Sequence, residues 1–327
     1  MIAIRVLTEP PVRDSGAASE VGDGRRVLLI GARGFIGTAV SQQLRASGWL
    51  ITHLTRHALI PGQGEIAGDL TDLDSLRRAC VGHDVVINAA SYVGPDAREQ
   101  HEVNSRGSRH LANAIEGTSV SRLVYISSTS VYGGQVPNGS REQHVGFTPR
   151  STLSASRLEA ERITLDTGGV VLRPHLVYGP RDRFFLAPLI LAMHSLGGWI
   201  ERGKARISAI SSETLARAVS EVAAHTSMPV AGQVFHAAHP KTVSVEQLVE
   251  SILRSAGRTA PTRSFSADHA FEVLRSKGVT ANQISMVATD NWVDSTRLWE
   301  RLNVPPAAPL HLTAASHTWY QSQLDRM

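Results

Sequence analysis

Cysteine is nearly absent from this chain of 327 residues, and long uninterrupted apolar runs are absent too. The single cysteine, Cys80, excludes a disulfide framework within the chain and is expected to be a buried structural thiol. The most apolar stretch, residues 184–200, is interrupted by Pro188 and His194, so it predicts a core or pocket helix and not a membrane span. No basic segment followed by an apolar one opens the chain, so the cytoplasm is the expected compartment.

Lysine is also scarce, since only three of the 33 basic residues are lysines: Lys204, Lys241 and Lys277. Such a bias indicates a GC-rich genome more than a special chemistry, so an arginine in place of a lysine at one site carries little meaning alone. The formal net charge is +4, but the arginines form no run or stripe. We therefore expect neither a nucleic acid nor a membrane as a partner.

Apolar residues make up 42% of the chain, and strand-like runs alternate with helical patterns, as in the strands predicted over 51–57 and 122–128 and the helix over 104–117. This alternation predicts an α/β fold with a doubly wound parallel sheet and a smaller C-terminal α/β lobe. The predicted division is an N-terminal extension over 1–24, a nucleotide-binding domain over 25–180 with a return segment over 205–240, and a substrate lobe over 181–204 and 241–327.

A glycine turn follows the first predicted strand. Gly31, Gly34 and Gly37 are spaced G-x-x-G-x-x-G, with Phe35 and Ile36 between the last two, and an amphipathic helix comes next. Glycine lets the backbone turn tightly and approach a diphosphate, while the helix N-terminus offers amide donors and a partial positive charge. The pattern predicts a Rossmann-type dinucleotide site, and a purely structural turn is the alternative.

The end of the second strand carries Thr55, Arg56 and His57, where enzymes that use NAD place an acid for the ribose hydroxyls. A guanidinium there suits a 2′-phosphate, and Arg33 in the glycine turn is a second candidate for the same group. We predict NADPH as the cofactor, with NADH as the alternative. The other interpretation is that both arginines are solvated surface residues.

Six segments together resemble the extended short-chain dehydrogenase/reductase family. They are VLLIGARGFIG, GDLTDLDSL, VVINAAS, HEVNSRGSRHLANA, LVYISSTSVYG and VVLRPHLVYGP, in the order that the family has them. The resemblance implies cofactor roles for these residues. Asp69 and Leu70 would flank the adenine, Ala89 and Ala90 would lie against the ribose, Asn104 would brace the active-site strand, and Pro174, His175 and Leu176 would meet the nicotinamide carboxamide.

The resemblance also places the catalytic groups, and two of them are missing. Ser128 stands where the family has a serine or threonine that orients the carbonyl. Leu153 and Arg157, in STLSASRLEAE, stand where it has a tyrosine that donates the proton and a lysine that lowers the pKa of that tyrosine. No tyrosine of the chain has a basic residue four positions later. Arg157 can still anchor the ribose, but its high pKa excludes it as a general acid.

Three sources of the proton stay open. Another side chain can act, and Tyr92, Tyr178 and His175 are the nearest by motif. Water held by Ser128 and Thr129 is a second source. A phenol beside the ketone of the substrate is a third, because an intramolecular group has a very high effective concentration.

The third source fits a polycyclic aromatic ketone as the substrate. Because it lacks the tyrosine, the chain resembles the atypical ketoreductases of actinomycete antibiotic pathways. We therefore expect an NADPH-dependent ketoreductase of secondary metabolism, with Tyr92, Thr129, Tyr178 and Phe184 against the substrate. A non-enzymatic NADP(H) sensor and a nucleotide-sugar epimerase or dehydratase are the alternatives. His236 and His239 lack an acid at ligand spacing, so surface histidines are expected there and no metal. The sequence leaves the oligomeric state open.

Overall fold

The computed structural model describes residues 24–57, 64–134, 136–225, 232–302 and 304–326. The predicted N-terminal extension therefore lies outside the described residues, apart from its last position. Residues 226–231 of the predicted return segment lie outside them as well. The predicted domain boundaries remain predictions.

Thirteen strands are present in the described part of the chain. They are β1 (Arg26–Ile30), β2 (Leu50–Thr55), β3 (Glu65–Ala67), β4 (Val85–Asn88), β5 (Arg122–Ile126), β6 (Val170–Pro174), β7 (Leu176–Tyr178), β8 (Trp199–Ile200), β9 (Arg206–Ile207), β10 (Ala209–Ser211), β11 (Val234–Ala237), β12 (Val243–Ser244) and β13 (Ser264–Phe265).

Twelve α-helices are described with them. They are α1 (Phe35–Ala46), α2 (Leu73–Cys80), α3 (Ala97–Gln100), α4 (Gly107–Ile115), α5 (Thr152–Asp166), α6 (Leu186–Leu196), α7 (Ser212–Ala224), α8 (Val245–Ser255), α9 (Ala267–Leu274), α10 (Ala281–Ala288), α11 (Thr296–Leu302) and α12 (Ala314–Leu324). A π-helical stretch, His101–Arg106, joins α3 to α4.

Seven strands form one parallel sheet in the order β11-β6-β5-β4-β1-β2-β3. The chain runs outward from β1 to β3 and then crosses back to β4, so the order reverses between β1 and β4. In such sheets a ligand binds beyond the carboxyl ends of the strands at this reversal. The doubly wound α/β fold predicted from the alternation of strands and helices is confirmed.

Helices cover both faces of the sheet because its strands are apolar on both sides. Val27 and Leu29 pack towards α1 and α7, while Leu28 and Ile30 pack towards α2 and α4. A separate apolar cluster joins α6, α8, α9, α10 and α12 in the C-terminal half. Residues 184–200 contribute α6 to that second core, as their broken apolar run predicts.

The cysteine and two of the histidines named above lie in the interior of the described structure. Cys80 is buried as expected, and burial raises the pKa of its thiol to about 11. His236 and His239 were expected at the surface, which is wrong: both are buried, because His236 bonds Tyr132 and His239 bonds the carbonyl of Ala307. Within the described ranges, no group of three or more histidine, cysteine or acidic side chains is placed to hold a metal. No helix in those ranges is both long and apolar enough to cross a bilayer.

Candidate active site

The glycine turn lies between β1 and α1, at the point where the strand order reverses. Gly31 has a φ of +83°, and a Cβ there would lie 2.7 Å from the amide nitrogen of Ala90. A Cβ on Gly37 would lie 2.0 Å from the carbonyl oxygen of Gly31. These two glycines are therefore required by the close packing of the turn against the end of β4 and against α1.

The first turn of α1 is open to an anion. Eight of the α-helices begin at a Ser, Thr or Asp whose side chain accepts hydrogen bonds from first-turn amides. The N-cap of α1, which lies within the described residues, is Gly34; it provides no such bond, and no acid lies in the first turn. Free amides and the helix dipole together suit a phosphate, so the turn fits the diphosphate of a dinucleotide.

The two arginines predicted to hold a 2′-phosphate lie after neighbouring strands. Arg33 follows β1 and forms an ion pair of 3.0 Å with Glu65 on β3, while Arg56 follows β2 and is exposed. The Arg33 side chain is 57% exposed, and exposed ion pairs contribute little, so a phosphate can displace Glu65. Asp69 accepts hydrogen bonds from the amide and hydroxyl of Thr71, and Leu70 beside it is buried.

Asn104 joins the loop after β4 to α5. Its Oδ1 accepts from the Tyr92 amide at 2.8 Å, and its Nδ2 donates to the Tyr92 carbonyl and to Ser156 Oγ. Asn104 lies in the π-helical stretch, which the sequence pattern did not predict and which is frequent at functional sites. Ser156 in turn donates to the carbonyl of Leu153. The loop that carries Ala89 and Ala90 is thus tied to α5.

Leu153 and Arg157 lie one turn apart on α5 and are both half-buried. Arg157 Nε donates to Ser91 Oγ at 3.2 Å, and Ser91 follows Ala89 and Ala90, which were predicted to lie against the ribose. Burial lowers the pKa of the guanidinium, and the nearby Tyr125 partly opposes that shift. The Arg157 guanidinium is therefore next to the loop after β4, one helical turn from the apolar Leu153, and its predicted ribose contact remains a prediction.

Ser128 is half-buried two residues after the end of β5, and its hydroxyl oxygen accepts from the Ser130 amide at 3.1 Å. The next residue, Thr129, is buried, and its hydroxyl hydrogen-bonds His175 Nδ1 at 2.7 Å. Burial and the neighbouring His236 lower the pKa of His175 to about 4. Its imidazole is therefore neutral at pH 7 and is held by Thr129, the residue after Ser128.

Four of the five tyrosines are buried away from solvent: Tyr125, Tyr132, Tyr178 and Tyr320. Burial raises the pKa of each of them, to about 12 for Tyr132. The hydroxyl of Tyr132 accepts from Arg173 and bonds His236 Nε2, and Arg173 forms a buried ion pair with Glu161 of α5. Tyr92 is the one tyrosine that is only half-buried.

Leu176, which follows Pro174 and His175 in the chain, lines an apolar groove. It has a volume of about 110 Å³ and lies between α6 and α10, with Gln283 as its one polar side chain among the described lining residues. Phe184 lines it, is 61% exposed, and lies with its ring centroid 6.4 Å from that of Phe35 at the start of α1. Tyr178 does not line the groove; it borders a smaller cavity with Leu310.

The sequence profile of the NAD dependent epimerase/dehydratase family matches residues 27–238. The chain belongs to this family. The match begins at β1 and ends just after β11, so it includes the glycine turn, the Ser128 segment and α5.

Three curated relatives of this epimerase/dehydratase family member share 30% of its aligned residues or fewer. A 2-alkyl-3-oxoalkanoate reductase of Shewanella oneidensis is 30% identical over 194 residues, which are 52% of this chain and 49% of that protein. A 3beta-hydroxysteroid-dehydrogenase/decarboxylase isoform 2 of Arabidopsis thaliana is 23% identical over 302 residues, 77% of this chain and 53% of the other. The chain thus spans about half the length of these two relatives. A second 2-alkyl-3-oxoalkanoate reductase, from Stenotrophomonas maltophilia, is 24% identical, and the match covers 81% of that protein.

Solved structures show the same fold as this family member. The UDP-glucuronic acid 4-epimerase of Bacillus cereus in complex with NAD superposes with a TM-score of 0.68 at 18% identity, over 92% of this chain and 99% of that one. RMD from Pseudomonas aeruginosa, complexed with NADPH, gives 0.66 at 20% identity, over 93% and 100%. At such low identity the likeness concerns the fold alone.

Sequence reasoning missed the side chains that support the site from a distance. Arg173, Glu161 and Tyr132 form a buried network between α5 and its neighbours. Arg181 reaches back to the glycine turn, where it bonds Thr38 and the carbonyl of Arg33. No local pattern marks either contact, because each joins elements far apart in the chain.

Proposed function

We propose that this protein is an NADPH-dependent ketoreductase of secondary metabolism that reduces a ring ketone of an aromatic polyketide of the angucyclinone type. A phenol of the substrate, next to the ketone, supplies the proton that the family's tyrosine supplies elsewhere. The observation that carries the proposal is Leu153 on an otherwise intact α5, with Arg157, Ser156 and Glu161 still bonded around it. Because it lacks this tyrosine, the chain resembles the angucyclinone ketoreductase of simocyclinone biosynthesis.

The residues around Leu153 favour a proton donor outside the protein. Leu153 has no exchangeable proton, and Arg157 holds its protons too tightly to release one. Tyr178 and Tyr132 are buried with raised pKa values, which makes each a weaker acid than a free phenol. His175 is neutral at pH 7 and its Nδ1 is already bonded to Thr129. Tyr92 is the remaining side chain of this kind beside the site.

Loss of a positioned acid costs on the order of 10² to 10⁴ in rate, or roughly 3 to 5 kcal/mol of barrier. A phenol already hydrogen-bonded to the ketone offsets this cost, since a well-oriented intramolecular group reaches effective molarities of about 10⁵ M or more. Ser128 then needs only to orient the carbonyl and to donate one hydrogen bond to the developing alkoxide.

The apolar groove supports a flat, fused-ring substrate. It begins at Leu176 and is walled by Phe184 and Phe185, and Gln283 is the single polar lining residue described. A nucleoside diphosphate sugar needs cations and hydrogen-bond partners along its length, which this lining does not offer. The Arabidopsis relative is named for a hydroxysteroid, a fused-ring alcohol, which agrees with this interpretation.

NADPH would be held by the α1 amides at its diphosphate, by Arg33 and Arg56 at its 2′-phosphate, and by Arg157 at the nicotinamide-side ribose. The bound cofactor supplies the hydride. The chain's own residues keep the carbonyl next to Ser128 and exclude water with the half-buried Leu153.

The test uses polycyclic ketones in matched pairs, one with a free phenol beside the ketone and one methylated at that oxygen. NADPH oxidation with the free phenol only is the expected result. Equal rates on both members would return the proton to a side chain or to water. The Tyr92→Phe variant then separates these two, because it lowers the rate only if the Tyr92 hydroxyl is the donor.

The same assay separates the alternative functions. Tight NADPH binding without oxidation on any ketone would indicate a sensor. Turnover of a nucleoside diphosphate sugar, with cofactor retained through purification, would indicate an epimerase or dehydratase. Either outcome contradicts the ketoreductase proposal.

A further inference from the structure

Arg181 has an unusual backbone. Its φ is +73°, a left-handed conformation that costs a non-glycine residue of the order of 1 kcal/mol. The chain on both sides is held in place. The Gly179 amide donates to the Tyr320 hydroxyl at 2.9 Å, and the buried Asp182 carboxylate accepts from three amides at the start of α6 and from the same hydroxyl. These bonds hold Arg181 in a strained geometry that points its side chain in one direction.

That direction is the glycine turn. Nη1 of Arg181 donates to Thr38 Oγ1 at 2.9 Å, and Nη2 donates to the carbonyl of Arg33 at 3.0 Å. The side chain is exposed, and no ion pair joins it to a carboxylate in the described ranges. A guanidinium has five N–H donors, so the observed bonds leave others free.

The Arg181 guanidinium, with N–H donors still available, therefore lies at the same turn as the uncapped start of α1. Gly34 provides no side-chain cap, and Phe35 and Ile36 begin a helix without an acid in its first turn. Amides and helix dipole alone give a modest anion site, whereas an arginine adds charge-assisted bonds of roughly twice the strength of neutral ones.

We infer that Arg181 binds the diphosphate of the dinucleotide, as a cation presented to the glycine turn by the loop between β7 and α6. This inference rests on the proposed function, since it assigns a new residue to the same cofactor site. Arg33 and Arg56 then serve the 2′-phosphate end, and Arg181 serves the diphosphate. The same loop carries Phe184 and Phe185, so the residue that contacts the cofactor is continuous with the wall of the apolar groove.

The experiment compares two ligands that differ in the diphosphate. NADPH carries it, and adenosine 2′-monophosphate does not. We expect Arg181→Gln to raise the Kd of NADPH by about 10- to 100-fold, since a hydrogen bond to a charged group contributes that much. The Kd of adenosine 2′-monophosphate should stay within about twofold. Arg183→Gln is the matched control, because Arg183 is the next exposed arginine and has no bond or ion pair among the described residues.

A second variant keeps the test decisive if Arg181→Gln folds poorly. Arg181→Gly removes the side chain and suits the left-handed φ, so its ligand-free melting temperature should match or exceed that of the wild type. It should still lose NADPH affinity. An unchanged Kd for NADPH in both variants, or an equal loss for both ligands, overturns the inference. Wild-type protein that bound neither NADPH nor NADH would instead overturn the proposed function.

Discussion

Two regions on the carboxyl side of the sheet contrast in what they retain. At the glycine turn every close approach demands the residue found there, so Gly31 and Gly37 have no substitute. On α5 the supporting bonds are all present: Asn104 to Ser156, Ser156 to Leu153, and Glu161 to Arg173. None of them involves the Leu153 side chain. The glycine turn is therefore constrained by packing, whereas Leu153, at the position predicted for the family's tyrosine, is a side chain that α5 carries without depending on it.

This contrast predicts which changes unfold the protein and which change only its chemistry. Side chains that join elements should be costly to remove. The side chain at position 153, where the family has its tyrosine, should be replaceable with little effect on stability. The predictions below test that division from the largest expected effect to the smallest.

Glu161→Ala should have the largest effect on stability. It leaves the Arg173 guanidinium, whose side chain is 2% exposed, without its carboxylate, and such a loss typically costs about 3 to 5 kcal/mol. Chemical denaturation measures the loss in the free energy of unfolding. Glu159→Ala on the same helix is the control, because that side chain is 43% exposed and should change stability by less than about 0.5 kcal/mol. A loss below about 1 kcal/mol at Glu161 would contradict a supporting role for this ion pair.

Gly37→Ala should cost about 2 to 4 kcal/mol and most of the NADPH affinity, because the new Cβ meets the Gly31 carbonyl oxygen at 2.0 Å. Thermal unfolding and cofactor titration check both effects. Gly34→Ala is the matched control in the same turn. Its Cβ would lie 3.2 Å from the same oxygen and its φ of −75° is ordinary, so a change below about 1 kcal/mol is expected. Similar losses in both variants would refute the packing argument.

Much of this division was available from the sequence. Local patterns carried these predictions. The alternation of strands and helices predicted the sheet, the glycine spacing predicted the turn, and STLSASRLEAE predicted a leucine at the position of the family's tyrosine. The long-range contacts were not available, because they depend on where the crossovers bring distant side chains. Arg181 lies 148 positions from Arg33, and Tyr132 lies 104 positions from His236. The wrong surface assignment of His236 has the same cause.

The pH dependence of stability tests the burial of the His175 imidazole. Because burial lowers the pKa of His175 from 6.5 to about 4, the unfolded chain binds this proton between those values and the folded chain does not. Stability should therefore be full above pH 6.5 and fall as the pH drops towards 4. His175→Gln should remove up to about 2 to 3 kcal/mol of that fall. Urea unfolding at pH 7 and pH 4.5 for both proteins checks it, and parallel losses would contradict the burial of a neutral His175.

The smallest structural effect is expected at position 153 itself. Leu153→Tyr combined with Arg157→Lys restores the family's pair on a half-buried turn of α5, so the free energy of unfolding should change by less than about 1 kcal/mol. On the proposed function, a tyrosine in this position would donate a proton to any ketone held at Ser128. The double variant should therefore reduce a methylated polycyclic ketone that the wild type does not, while its rate on the free phenol stays within about threefold.

A single substitution is the control for that double variant. Leu153→Phe fills the position without a hydroxyl and should gain no activity on the methylated ketone. If it gains as much as the double variant, the gain comes from packing and not from a proton. If the double variant gains nothing although it binds NADPH normally, α5 no longer places residue 153 against the ketone. The division between supporting scaffold and replaceable acid would then fail at the one position from which it was inferred.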